Sequence, residues 1–196
     1  MPYSTENNLT NIKSTVKSAL DRLYTEDLLL FTLNEGEGVS ERCIVFRFAM
    51  YLQEHFTDYY IDCDFNASWN YELSNDGKYH GSKVKGKWID DPDGSSRRRF
   101  PDIIVHKRDY PEEYDPFGNE PFNDLICLEI KKSNNYDTRE REKDLNVLQK
   151  MTSSYTYQYG FHLILHKNKE KTKWTIFKDG KPIEENTGVF ENQVPG

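Results

Sequence analysis

Residues 100–106, FPDIIVH, and residues 124–131, DLICLEIK, decide the fold. Both are apolar at almost every position, through Ile103, Ile104 and Val105 in the first and Leu125, Ile126, Cys127, Leu128 and Ile130 in the second. Short, continuous, β-rich runs of this kind predict strands at the buried centre of a sheet covered on both faces. Yet each run carries charge: Asp102 in one, Glu129 and Lys131 in the other. Residues two apart on a strand point to the same face, so Glu129 and Lys131 share one. An unpartnered buried carboxylate or ammonium costs several kcal/mol, so such groups meet each other or a metal ion.

Helical patterns flank these strands. Ile12, Val16, Ala19, Leu20 and Leu23 recur at helical spacing, which predicts a helix over 11–24 capped by Thr10. The apolar run Leu28–Leu33, followed by a Gly-containing stretch ending at Gly38, predicts a short strand and a turn. Ser40 opens a second helix with Ile44, Val45, Phe48, Tyr51, Leu52 and Phe56 on its buried face. Glu41 sits on the buried side of that helix's first turn. It is either a carboxylate placed for the positive end of the helix dipole or an inward-pointing acid.

Tyr59–Phe65 alternates like a strand, and residues 66–99 and 109–124 are polar excursions, the first a long hairpin or loop. Asp137 and Glu140 make a capping-box-like start to a helix of about 15 residues, with Leu145, Leu148 and Met151 facing inward. Strands follow at Phe161–His166 and Trp174–Phe177, with a turn at Asp179-Gly180. The order predicts an α/β sandwich with a central mixed β-sheet flanked by helices.

At 196 residues the chain suits one domain spanning 1–196, with its core over about 40–178. A composition 36% hydrophobic and 30% charged is that of a soluble globular protein. No apolar run approaches the roughly 20 residues that span a bilayer, so no membrane is expected as partner. The start MPYSTENNLT has neither a basic nor an apolar stretch, and we expect a cytoplasmic protein. Cys43, Cys63 and Cys127 are odd in number and widely spaced, and are expected as reduced core residues.

The net charge of −7 speaks against a nucleic-acid partner, but its distribution reverses that. Residues 78–108 carry 9 basic and 4 acidic side chains, whereas residues 1–77 carry 5 and 13. One basic strip, centred on Arg97, Arg98 and Arg99, can hold a phosphate backbone locally, and Lys132 beside the charged strand joins it. Arg139 and Arg141 flank the same region less directly. Asp144 and Gln149 could support the charged cluster from behind, although surface or capping roles suit their polar segment better. His80, His106, His162 and His166 lack the spacing of a metal set.

Asp102 and Glu129 on neighbouring strands supply the two hard oxygen ligands that Mg²⁺, or Mn²⁺, completes with waters and substrate phosphate. The matching chemistry is phosphodiester hydrolysis, with Lys131 holding the attacking water or stabilising developing charge. From spacing alone, a buried Asp–Lys–Glu ion-pair cluster without metal stays open.

The stretches RRRFPDIIVHKR, NDLICLEIKKS, DTREREKDLNVLQKMTS and YGFHLILH, in this order over residues 97–166, resemble the PD-(D/E)XK nuclease superfamily. The preceding GVSERCIVFRFAMYLQ and YIDCDFN resemble the same region in a group of uncharacterised bacterial members. The resemblance implies a restriction-endonuclease-like sandwich and a metal-dependent endonuclease that cuts DNA by in-line attack of a metal-activated water. It implies catalytic roles for Glu41, Asp102, Glu129 and Lys131, and metal ligation by Asp102, Glu129, Glu41 and the carbonyl of Ile130. The alternatives are a nuclease acting on RNA and a non-catalytic binding module that keeps the fold. Double-strand cleavage by a one-site domain would call for a homodimer.

Overall fold

The computed structural model describes residues 8–32, 39–64, 67–73, 79–85, 88–90, 96–107, 113–114, 124–133, 137–155 and 157–187. Three helices come first: α1 (Leu9–Glu26), the single turn α2 (Leu29–Thr32) and α3 (Glu41–Gln53). The strands that follow are β1 (Tyr60–Cys63), β2 (Ala67–Leu73), β3 (Tyr79–Lys85), β4 (Trp88–Asp90), β5 (Ser96–Arg98), β6 (Ile103–His106), β7 (Glu113–Tyr114) and β8 (Ile126–Lys132). Helix α4 (Thr138–Ser154) leads to β9 (Tyr159–Leu165), β10 (Lys173–Lys178) and β11 (Lys181–Thr187).

Six strands form one mixed sheet in the order β1-β6-β8-β9-β10-β11. Only β8 and β9 among these neighbours are parallel, and α4 makes the crossover between them. The two predicted apolar strands, β6 and β8, lie inside the sheet, and β6 is buried along its whole length. Their alternate residues feed two separate cores. Ile103, Val105, Ile126, Leu128 and Ile130 pack with α1 and α3 through Leu20, Leu23, Phe48 and Leu52. Ile104 and Cys127 face the other way, onto Val147, Leu148 and Met151 of α4. The chain is thus α/β, with helices on both faces of a mixed sheet.

The polar excursion 66–99 contains the β2–β3 hairpin, which β7 extends, and the separate antiparallel pair β4–β5. Ile89 of β4 is buried in the α4-side core, which moors this excursion to the main sheet. The turn between β10 and β11 has positive φ at both central residues, Asp179 (50°) and Gly180 (72°), as a tight primed hairpin requires. A Cβ on Gly180 would also stand 2.9 Å from the Cβ of Ser153.

Three local expectations need correction. Helix α1 begins at Leu9 and its cap is Asn8, not Thr10: the Asn8 side chain accepts the N–H of Asn11 at 2.9 Å. The run Leu28–Leu33 forms the helical turn α2 over its described part, closed by Leu30 N–H to Asp27 and Phe31 N–H to Leu28. Phe31 then stacks on Tyr24 of α1 at 4.6 Å, a contact available to a helical turn without any strand partner. Of the cysteines only Cys127 is buried. Cys43 lies on the solvent side of α3, three residues before the exposed Phe46, and Cys63 ends the edge strand β1. Among the described residues no helix is long and apolar enough to cross a membrane.

Candidate active site

The antiparallel register that pairs Ile103 with Leu128 sets Asp102 opposite Glu129. Pro101, next in line, has no N–H to offer and the backbone ladder stops there. The Asp102 side chain takes over, its Oδ2 accepting the N–H of Ile130 at 2.7 Å. Glu129, only 5% exposed, lies beside the Asp102 carboxyl. The two carboxyls therefore face each other on the α4 side of the sheet, and Lys131, two residues on, shares that face.

Glu41 reaches the cluster from α3. Ser40 caps that helix through the N–H of Arg42, at 3.3 Å, which places Glu41 in the first turn beside the end of β8. Its Oε1 accepts from Lys131 Nζ at 3.1 Å and its Oε2 from the backbone N–H of Lys132 at 3.0 Å. Lys132 Nζ donates to the carbonyl of Val39 at 3.4 Å. Glu41, Asp102, Glu129, Ile130 and Lys131 are thus assembled by three elements far apart in the chain.

Asp144 of α4 is the residue that sequence reasoning undervalued. It is 8% exposed, its Oδ2 is buried without a hydrogen-bond partner, and His162 Nε2 lies 3.9 Å away. Asp144, Val147, Leu148 and Met151 form one i, i+3, i+4, i+7 stripe, so the position was readable as inward-facing. His162, expected only as a strand residue, is buried and lies beside Glu129 in the β8–β9 register.

Electrostatics follow from burial and crowding. Burial raises Asp102 to about 6 against the pull of Lys131 and the Ile130 N–H. Glu129 is pushed well above the ordinary carboxylate range by burial and then by Asp102 and Asp144. Burial likewise lifts Asp144 to about 7. For Lys131, burial favours the neutral amine, but Asp102, Asp144, Glu41 and Glu129 together outweigh it and hold the ammonium above its usual value. His162 falls to about 4, through burial and then the charges of Arg141 and Lys131.

Four carboxyls surround one ammonium, and two of them, Asp102 and Glu129, face each other. That surplus of negative charge, with the unpartnered Asp144 oxygen, suits a site that receives a cation. Among the described residues no three His, Cys, Asp or Glu side chains converge as a ready-made metal cage. A divalent ion with an all-oxygen preference does not need one. Mg²⁺ keeps several waters and takes one or two carboxylates, and the Ile130 carbonyl beside Asp102 adds a neutral oxygen.

The basic strip enters this region along the chain. Arg97 lies on β5, Arg98 is exposed, Arg99 is half-buried, and Phe100 and Pro101 connect them to Asp102. Cys63, at the exposed end of β1 opposite Ile103, has its thiol raised to about 11 by partial desolvation and then by Asp64, Asp102 and Asp62. His106 is not part of the cluster: its Nε2 lies 2.7 Å from Asp62 Oδ2 and its Nδ1 4.0 Å from Asp124. His80 and residues 109–112 and 115–123 fall where side chains or backbone lie outside the described residues. No family model matches the chain, and no curated protein matches it either.

Proposed function

We propose that the chain is a Mg²⁺- or Mn²⁺-dependent nuclease with a restriction-endonuclease-like fold, hydrolysing phosphodiester bonds of DNA. The observation that carries the proposal is the meeting of Asp102, Glu129, Glu41 and Asp144 around Lys131 at the end of β8. A purely structural ion-pair cluster would balance its charges, whereas this one crowds carboxyls together at an energetic cost.

Asp102, Glu129 and the Ile130 carbonyl would hold the cation, with Glu41 reaching it through the same corner. When bound, the ion neutralises charge on the scissile phosphate and makes a water acidic enough to attack near neutral pH. Loading requires Asp102 and Glu129 to be ionised, because only the ionised carboxylates ligate. Glu41 fixes the Lys131 ammonium by the 3.1 Å contact, so the charge is in place before the phosphate arrives. From there Lys131 orients the attacking water and stabilises the negative charge that builds on the phosphoryl oxygens. Arg97, Arg98, Arg99 and Lys132 grip neighbouring phosphates.

The test is nicking of supercoiled plasmid by purified protein with Mg²⁺ or Mn²⁺, beside a chelator control, an RNA substrate and Glu129→Gln. Metal-dependent nicking by the wild type and its loss in Glu129→Gln are expected. Absence of cutting of DNA and RNA with either ion would hand the site to the binding-module reading.

A further inference from the structure

Beside the carboxyl cluster, on the α4 face of the sheet, lies an open groove of about 860 Å³. Its floor is the upper part of β9 and β10, through His162, Ile164, Lys173 and Thr175, and its far wall is the first turn of α4. The groove opens because the apolar stripe of α4 packs through Val147, Leu148 and Met151, in the second half of the helix, and does not extend over this part of the sheet. Ser133, two residues beyond Lys131, forms one end, and His162 is shared with the cluster through Asp144. The groove therefore adjoins the cluster, with the buried His162 between them.

Several cations elsewhere on the molecule, though not all, are neutralised by a neighbouring carboxylate. Lys13 pairs with Glu184, Arg22 with Glu26, Arg47 with Asp27, Lys143 with Glu140 and Lys169 with Asp21. Arg141, Lys171 and Lys173, which line the groove, have no carboxylate at ion-pair distance among the described residues. Of the two acids on the groove wall, Asp137 is turned onto the backbone N–H of Glu140 at 2.8 Å, and Glu185 stands on the edge strand opposite Thr175. In a chain of net charge −7, three cations gathered along one groove point to an anionic occupant.

We infer that this groove takes a single strand of nucleic acid, running from the cluster across Arg141, Lys171 and Lys173. This rests on the nuclease reading and narrows its substrate to DNA with an unpaired stretch, such as a flap or an end. The groove has the volume of a small-ligand pocket, roughly 300–1,000 Å³, which suits one or two nucleotides and excludes the body of a duplex. A basic channel that tracks the backbone is how single strands are held without reading their bases. Tyr24 braces the floor, its hydroxyl donating to the His166 carbonyl at 2.8 Å and meeting Thr172 Oγ1 at 2.7 Å, so the loop between Lys171 and Lys173 is held in place.

The experiment is fluorescence anisotropy of a labelled oligothymidylate in chelator, over a range of salt, with an unlabelled duplex of equal length as competitor. The triple variant Arg141→Gln, Lys171→Gln, Lys173→Gln changes only exposed side chains, and its melting temperature checks the fold. Its slope of log K against log salt should fall by about 2, at roughly 0.7 per phosphate contact on a single strand. Lys169→Gln, which removes a neighbouring charge paired with Asp21, should leave the slope unchanged, and the duplex should compete poorly. An unchanged slope in the triple variant, an equal loss in Lys169→Gln, or a duplex that competes as well as the single strand overturns the inference. So does a wild type that fails to bind the oligonucleotide. Plasmid and flap cleavage separate this from the nuclease reading: cutting that survives with the groove result negative spares the enzyme. Strand binding in the groove without any cutting supports the groove and removes the enzyme.

Discussion

Asp102→Asn keeps the shape of the residue and an oxygen for the Ile130 N–H, and removes the charge. Wild-type Asp102 holds its proton up to about 6 in the folded protein, against an ordinary value of 3.8. The folded state therefore binds more protons than the unfolded state between those limits, and stability falls as pH rises through the window. Without metal, the buried carboxylate costs about 3 kcal/mol at pH 8 and under about 1 kcal/mol at pH 4, since each tenfold weakening of the acid by folding is worth about 1.4 kcal/mol. Asp102→Asn should therefore be more stable than wild type in chelator, with an advantage that grows from pH 4 to pH 8 along that curve. Mg²⁺ should reverse the order at pH 8, because the cation stabilises the wild type by mass action and the variant has lost a ligand. Denaturant melts at several pH values, in chelator and in excess Mg²⁺, read both effects without any activity assay. If Asp102→Asn is less stable than wild type at pH 8 in chelator, or if the difference does not change with pH, the charge crowding described for this site is wrong.

Three further outcomes are expected. Lys131→Met keeps the apolar stem and should lower kcat and kcat/KM together by about 10²–10³-fold with little change in substrate affinity, as for one lost electrostatic donor; equal nicking rates for variant and wild type would remove its assigned role. Replacing Arg97, Arg98 and Arg99 together should lower the salt slope of duplex binding by up to about 3 with the melting temperature nearly unchanged, as filter binding would measure. Gly160→Ala should destabilise by about 1–3 kcal/mol through overpacking, because its Cβ would stand 3.2 Å from Leu148 Cδ2 and 3.3 Å from Thr152 Cγ2. Thr152 cannot step aside, since its hydroxyl is held by the Leu148 carbonyl at 2.9 Å and by the Gly180 N–H at 3.1 Å; a denaturant melt equal to wild type would contradict this.

What could be read in the chain was what local pattern determines. Strands β6 and β8 announced themselves as apolar runs, and the charges set into them had to be partnered. Glu41 was visible as a first-turn acid on an inward face, but its hold on Lys131 is a tertiary fact spanning ninety residues. Asp144 was hidden by its company: TREREKD reads as a solvated face, and only the packing of α4 on β8 buries one member of it. The stretch after Leu28 failed for a different reason, since a four- to six-residue apolar run has no length to separate a helical turn from a strand. Cys43 and Cys63 were misplaced because apolar neighbours in sequence say nothing about which side of an element a residue takes.

Asp102 completes the backbone ladder at the end of β6 as well as belonging to the carboxyl cluster, and this joint duty shapes how such a protein can change by descent. A chain drifting away from catalysis cannot simply shorten Asp102 to alanine, because the Ile130 N–H would lose its partner in a buried place. Asparagine relieves the crowded charge and retains the acceptor, so one substitution gives a chemically silent chain that folds at least as well. On the nuclease reading, descendants that have lost the activity should carry Asn at position 102 far more often than Ala.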